Sequence, residues 1–260
     1  MNFMNGWLCI AGLGPGKEQL ITPEVSAALA DATDVVGYIP YVRRIAPREG
    51  LTLHASDNRV ELDRARAALQ MAAAGRKVVV VSSGDPGVFA MAAAVMEALE
   101  GEPEWQQLDI RVLPGITAML AAAAKAGAPL GHDFCAINLS DNLKPWALVE
   151  RRLRLAVEAD FAMAFYNPRS VARPEGFARA LTVLREATEA AGGPARPVIF
   201  ARAVSTPEER IRVVALPDAR PEMADMRTVV IVGSSLTRTV ERDGAPWVYT
   251  PRSAPRGAGA

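Results

Sequence analysis

The chain has 260 residues, half of them hydrophobic, which is ample for one large or two small packed domains. Acidic and basic residues balance at 29 each, so bulk charge points to neither a nucleic-acid nor a membrane partner. The longest apolar runs, VVVV and AMLAAAA, are too short to span a bilayer.

The opening MNFMNGWLCIAG lacks a basic leader and a cleavage site, so no secretory signal is expected. Cys9 and Cys135 each sit inside an apolar run, the pattern of buried, reduced thiols in a cytoplasmic protein. With two scattered histidines besides, no metal or iron–sulfur site is expected.

In chain order, strand-length apolar runs alternate with Ala- and Leu-rich helical stretches, which predicts an α/β fold. A strand near 7–12 precedes a helix near 23–31, with Thr22 as N-cap, Pro23 in the first helical position and Glu24 in the first turn. Strands near 34–37 and 51–53, a helix near 60–74 and the strand KVVVVS (77–82) follow. A helix at 86–99 is expected to start from Asp85 as N-cap with Pro86 behind it, then a strand at 110–113 and a helix over 116–126. The turn-rich GAPLGH (127–132) is the expected boundary between an N-terminal domain, 1–126, and a C-terminal domain, 127–240.

The alternation then restarts. Strands are expected at 134–139 and 160–166, and helices at 145–158, opened by Pro145, and at 175–190, closed by GGP. PVIFARAV, ERIRVVAL and RTVVIVG read as the last strands, and residues 241–260, rich in Pro, Gly and Ala, as a flexible tail. The helix face ERRLRLAVE (150–158) reads as an ordinary amphipathic surface.

The loop after the first strand, GLGPGKEQLITPEV, invites a phosphate-binding reading and fails it. Gly12 and Gly14 fit a dinucleotide fingerprint, but Lys17 stands where the sixth-position glycine is needed. Pro15 has no N–H to offer an anion. The helix starts several residues beyond the glycines, and Lys17 lacks the spacing of a P-loop. What remains is either a tight turn or a backbone that can come close to a flat ligand. SSGDPGVF and LPGITA share its position after strands, where open α/β sheets bind ligands. Helix capping alone would account equally well for Asp85 and Thr117.

Taken together, GLGPGKEQLITPE, SSGDPGVF, LPGITA, AFYNPRS and TVVIVG, in this order, resemble the tetrapyrrole methyltransferases over roughly residues 6–240. Within that family, GYIPYVRRI (37–45), NLSDNLKPW (138–146) and FYNPRS resemble the cobalamin-pathway branch that methylates carbon 17 and contracts the ring. The resemblance implies two α/β domains with the active site in a cleft between them, usually in a homodimer, and S-adenosylmethionine as methyl donor. It further implies that Pro15, Ser83, Gly84, Asp85, Val88, Thr117, Ala118, Asn167 and Ala203 surround the cofactor. Many relatives carry methionine where Asn167 stands.

The implied substrate is a flat macrocycle rich in carboxylates. Tyr38, Asp141 and Lys144 are the candidates for proton transfer, and Tyr41, Arg43, Arg44, Tyr166 and Arg169 for substrate contacts. Arg43 and Arg44 read equally well as solvated surface charges. A cysteine-free stretch after 240 favours the oxygen-dependent pathway and its metal-free substrate. A sister methyltransferase acting at another ring carbon, a nucleotide-dependent oxidoreductase and a non-catalytic tetrapyrrole binder are the alternatives.

Overall fold

The computed structural model describes residues 6–57 and 60–253. By its internal contacts the chain divides into two compact units, Met1–Thr117 and Ala118–Ala260.

The first unit is built on a five-stranded, wholly parallel sheet in the order β3-β2-β4-β1-β5. Its strands are β1 (Trp7–Gly12), β2 (Asp34–Tyr38), β3 (Thr52–Ser56), β4 (Lys77–Ser82) and β5 (Asp109–Leu113). Every residue of β1 is buried, and Val78 to Ser82 of β4 likewise, as central strands covered on both faces must be. Alternation sorts their side chains. Leu8, Ile10, Val78 and Val80 pack with α3 (Glu61–Ala73) and α4 (Met91–Glu100), while Cys9, Ala11, Val79 and Val81 face Val25 of α1 (Pro23–Asp31). Burial pushes the Cys9 thiol up to about 11, the Arg111 charge opposing it, which leaves an inert core sulfur.

Helix α1 starts as its sequence predicts, the Thr22 hydroxyl accepting from the Val25 amide at 3.3 Å. Helix α4 does not. It begins at Met91, not at Pro86, because Phe89 takes a left-handed φ of 53° and breaks the turn before it. Asp85 therefore caps no helix. A four-residue helix, α2 (Ile39–Val42), follows β2 and has no counterpart in the sequence reading.

The second unit opens with α5 (Ala118–Ala126), which the sequence reading assigned to the first. Its Ala121, Ala122 and Ala126 pack against Ala164, Ile199 and Ile231, and this is why the division falls at Thr117 and not at the 127–132 turn. The sheet has the order β10-β9-β11-β8-β7. Its strands are β7 (Phe134–Asn138), β8 (Ala162–Tyr166), β9 (Pro197–Arg202), β10 (Arg210–Ala215) and β11 (Thr228–Val232). Met163, Phe165, Phe200 and Val230 form the other face under α6 (Trp146–Glu158) and α7 (Gly176–Ala190). Strand β11 runs antiparallel to both β8 and β9, and β7 is parallel to β8, so β7, β8 and β9 all end at one edge of this sheet.

The expected flexible tail is ordered as far as residue 253. Strands β12 (Arg238–Val240) and β13 (Trp247–Tyr249) join β6 (Gly127–Ala128) in a three-stranded sheet. Val248 is buried, and the Thr250 hydroxyl donates to the Pro129 carbonyl at 2.6 Å. Composition alone misses this because the pairing partner lies 121 residues away. Residues 254–260 of the expected tail lie outside the described residues.

Candidate active site

In the first unit, three loops leave the carboxyl ends of neighbouring strands β1, β4 and β5, and they are bonded to one another. Gly14 and Gly84 exchange both backbone hydrogen bonds, at 3.1 and 3.0 Å. A Cβ on Gly12 would lie 2.5 Å from the Gly84 carbonyl and 2.8 Å from Gly115, and one on Gly115 would lie 2.2 Å from the same carbonyl. The glycines are thus required by close packing of loop on loop. Asp85 completes the junction, its carboxylate accepting from Gly87 N at 2.8 Å and from Gly115 N at 3.1 Å.

The amides of Leu13, Gly14, Gly84, Gly87 and Gly115 all donate within the protein, so these five are not turned outward to cradle an anion. Pro15, in the same loop, has no N–H to add.

Arg44 does not stand free for a substrate carboxylate. Its guanidinium donates to the carbonyls of Leu13 at 2.5 Å, Gly16 at 3.0 Å and Gly14 at 3.3 Å, clamping the glycine–proline loop. Burial lowers its pKa, the nearby Tyr41 opposing the shift. Tyr41 is itself raised by burial and stands edge-on to Tyr38, with ring centroids 5.3 Å apart. Arg43 is exposed. Pro15, Ser83 and Val88 are half-buried on the loops, and Thr117 is buried at the end of this unit.

In the second unit, the shared edge of β7, β8 and β9 carries Asn138, Asn167 and Ala203. Asn167 follows β8 with φ 51°, tolerated because asparagine enters the left-handed region, and donates to Asn138 Oδ1 at 3.1 Å. Ala203 and Ser205 follow β9 with φ 48° and 62°. Backbone strain of this kind concentrates at ligand sites. Tyr166 ends β8 and accepts the Met119 amide at 3.0 Å, which fixes the start of α5 beside Ala118. Lys144 donates to the Ser140 carbonyl at 2.9 Å, and burial lowers its pKa, the Arg152 and Arg173 charges adding to the effect. Asp141 lies 4.0 Å from Arg173. The sequence reading missed Asn138 and Arg173, although both lie within or beside its quoted motifs.

Among the described residues, no cluster of His, Cys, Asp or Glu could hold a metal ion, and no helix is long and apolar enough to cross a membrane.

A family model described as tetrapyrrole (corrin/porphyrin) methylases matches residues 8–220. The chain belongs to the tetrapyrrole methylase family. It is 55% identical over 251 residues to the precorrin-3B C(17)-methyltransferase of Sinorhizobium sp, covering 96% of this chain and 97% of that one. The solved structure of the methyltransferase CobJ is similar with a TM-score of 0.89 and 70% identity, over 95% of this chain and all (100%) of that one. The uroporphyrin-III C-methyltransferase of Thermus thermophilus, solved with S-adenosylhomocysteine, has a TM-score of 0.66 at 22% identity, over 88% of this chain and 98% of that one, a likeness of fold.

Proposed function

We propose that this chain is an S-adenosylmethionine-dependent C-methyltransferase that methylates precorrin-3B at carbon 17 and contracts the ring to precorrin-4 in cobalamin biosynthesis. The observation that carries this reading is the 55% identity to the Sinorhizobium enzyme along nearly the whole of both chains. We further infer that it works in the cytoplasm as a homodimer.

S-adenosylmethionine supplies an activated methyl on a sulfonium. This cofactor carries no phosphate, in keeping with a glycine loop that holds Pro15 and lacks the dinucleotide fingerprint. In this reading, Pro15, Ser83, Gly84, Asp85, Val88 and Thr117 in one unit, and separately Ala118, Asn167 and Ala203 in the other, are the candidate cofactor contacts. An enamine-like ring carbon is already nucleophilic, so methyl transfer needs placement more than a strong base. Ring contraction needs a hydroxyl proton removed and a lactone oxygen released, which calls for acid–base groups. Tyr38 and Asp141 are our candidates.

The deciding experiment incubates the purified chain with precorrin-3B and methyl-labelled S-adenosylmethionine and fragments the product. One labelled methyl at carbon 17 of a contracted ring is expected. A label at another carbon, or preferential turnover of the cobalt-containing substrate, moves the chain to a sister activity. Absence of label overturns the reading.

A further inference from the structure

Two loops of the second unit gather positive charge and exposed apolar side chains at one place. The first, residues 139–145, follows β7, and the second, residues 167–175, follows its parallel neighbour β8. Asn167 Nδ2 to Asn138 Oδ1 joins the two at their roots, and Arg173 to Asp141, 4.0 Å apart, joins them farther out. The second loop closes on itself, Ser170 and Arg173 forming an isolated bridge with backbone bonds of 3.4 and 3.1 Å.

On this frame sit Lys144, Arg169 and Arg173. Lys144 lies within reach of the Arg152 and Arg173 charges and of the opposing Asp141 charge, and the Ser140 carbonyl takes only one of the three donors an ammonium offers. The Nε of Arg169 is buried with no hydrogen-bond partner among the described residues. A buried, unmatched guanidinium N–H is costly unless something accepts from it. Asp141 and Glu175, both exposed, are the acidic residues of these two loops, against three cations.

The same loops carry the most exposed large hydrophobics of the described chain. Leu143 is 93% exposed and Val171 100% exposed. Single surface apolar residues need no explanation, but two fully exposed ones on adjoining loops, interleaved with cations, form a mixed surface. A protein face would call for a wider apolar patch. A flat apolar ring with acid groups on its rim matches both halves at once.

We infer that Lys144, Arg169 and Arg173 form a carboxylate-binding cluster that, with Leu143 and Val171, holds the acid-bearing rim of the tetrapyrrole. The inference rests on the tetrapyrrole reading above, keeps Arg169 from the expected substrate contacts and puts Lys144 and Arg173 in place of Arg43 and Arg44. Lys144 becomes an anion-binding group, and Arg173, absent from the sequence reading, becomes its partner.

The test titrates the full chain with uroporphyrin III, an octa-acid, and with its octamethyl ester, following ring absorbance. Arg173→Gln, Arg169→Gln and Lys144→Gln are each compared with the parent. Arg212→Gln removes the same charge from β10, the opposite edge strand of this sheet. S-adenosylhomocysteine binding serves as the check that each variant is folded. Loss of one charged hydrogen bond is expected to weaken octa-acid binding about tenfold in each cluster variant, with Arg212→Gln unchanged. The ester should bind parent and variants alike.

Equal octa-acid binding by parent and cluster variants overturns the cluster, as does an ester that suffers the same loss or a parent that binds no octa-acid. A parent that binds the octa-acid through the cluster yet leaves precorrin-3B unmethylated sinks the proposed activity and keeps the cluster.

Discussion

The Asp85 carboxylate accepts the Gly115 amide at 3.1 Å, tying together two loops thirty residues apart in the chain. Its other oxygen holds the Gly87 amide at 2.8 Å, so one side chain sets the shape of two of the three loops at the ends of β1, β4 and β5. Asp85→Ala leaves both amides without an acceptor. We expect a loss of roughly 1–3 kcal/mol in denaturant unfolding. We also expect S-adenosylhomocysteine affinity to fall about tenfold, a change of about 1.4 kcal/mol. An unchanged affinity beside a lowered stability, measured by calorimetry, would reduce Asp85 to a tie between loops.

Arg44 makes a second, opposite expectation from the one its sequence context suggested. Because its fork is bound to the Leu13, Gly14 and Gly16 carbonyls, Arg44→Ala should loosen the glycine–proline loop. Cofactor-product affinity is expected to fall about fivefold or more, and amide exchange across residues 13–16 to speed up, at a cost of roughly 1–3 kcal/mol. Arg44→Lys should not rescue it, since a point-charge ammonium cannot reproduce a planar fork. Uroporphyrin affinity is expected to hold, and a selective loss there would return Arg44 to the substrate.

How much of this was legible in sequence differs by length scale. Strand β4 and helix α1 have the bounds their residues predict, because a run of valines and a Thr-Pro-Glu start are local signals. The placement of α5 was not legible. Its alanines suit either sheet, and only the packing against Ile199 and Ile231 decides. The role of Asp85 was half legible. An Asp-Pro pair before an apolar run is also a helix start, and the competing acceptor geometry depends on Gly115, far along the chain. The Arg44 contacts were not legible for the same reason, since a guanidinium beside tyrosines looks free until the loop that it clamps is folded against it.

The close loop packing makes a sharp contrast among glycines. Gly115→Ala would place a methyl 2.2 Å from the Gly84 carbonyl, where backbone must move, so we expect a loss of roughly 3 kcal/mol or more and no cofactor binding. Gly176→Ala opens α7 with nothing within 4 Å of the added methyl. It is expected to raise stability by about 0.4–1 kcal/mol, because alanine loses less freedom on folding. Thermal melts of the two variants decide the matter, and a well-tolerated Gly115→Ala would mean that the three loops are not in mutual contact.

At the other end of the first sheet, Asp34 is fully buried at the start of β2 and bonded to His54 at 2.7 Å, to the Thr33 hydroxyl at 2.7 Å and to Arg76. Burial alone would raise its pKa, but the bonds from His54 and Thr33 and the Arg76 charge outweigh it and hold the carboxyl below its ordinary value of 3.8. A carboxyl that binds its proton less readily when folded stabilises the protein above its unfolded pKa. That contribution is lost as pH falls through the lower, folded one. Asp34→Asn should therefore be less stable than the parent at pH 7 by roughly 1–3 kcal/mol, since it removes the charged acceptor of the bonds from Thr33, His54 and Arg76. Below about pH 4 the parent loses this advantage as Asp34 protonates, and the two stability curves should converge. Cofactor-product affinity at pH 7 should be the same for both, because the substitution lies at the amino ends of strands whose carboxyl ends carry the loops. A stability gap that stays constant down to pH 2 would show that Asp34 contributes through packing and not through its charge.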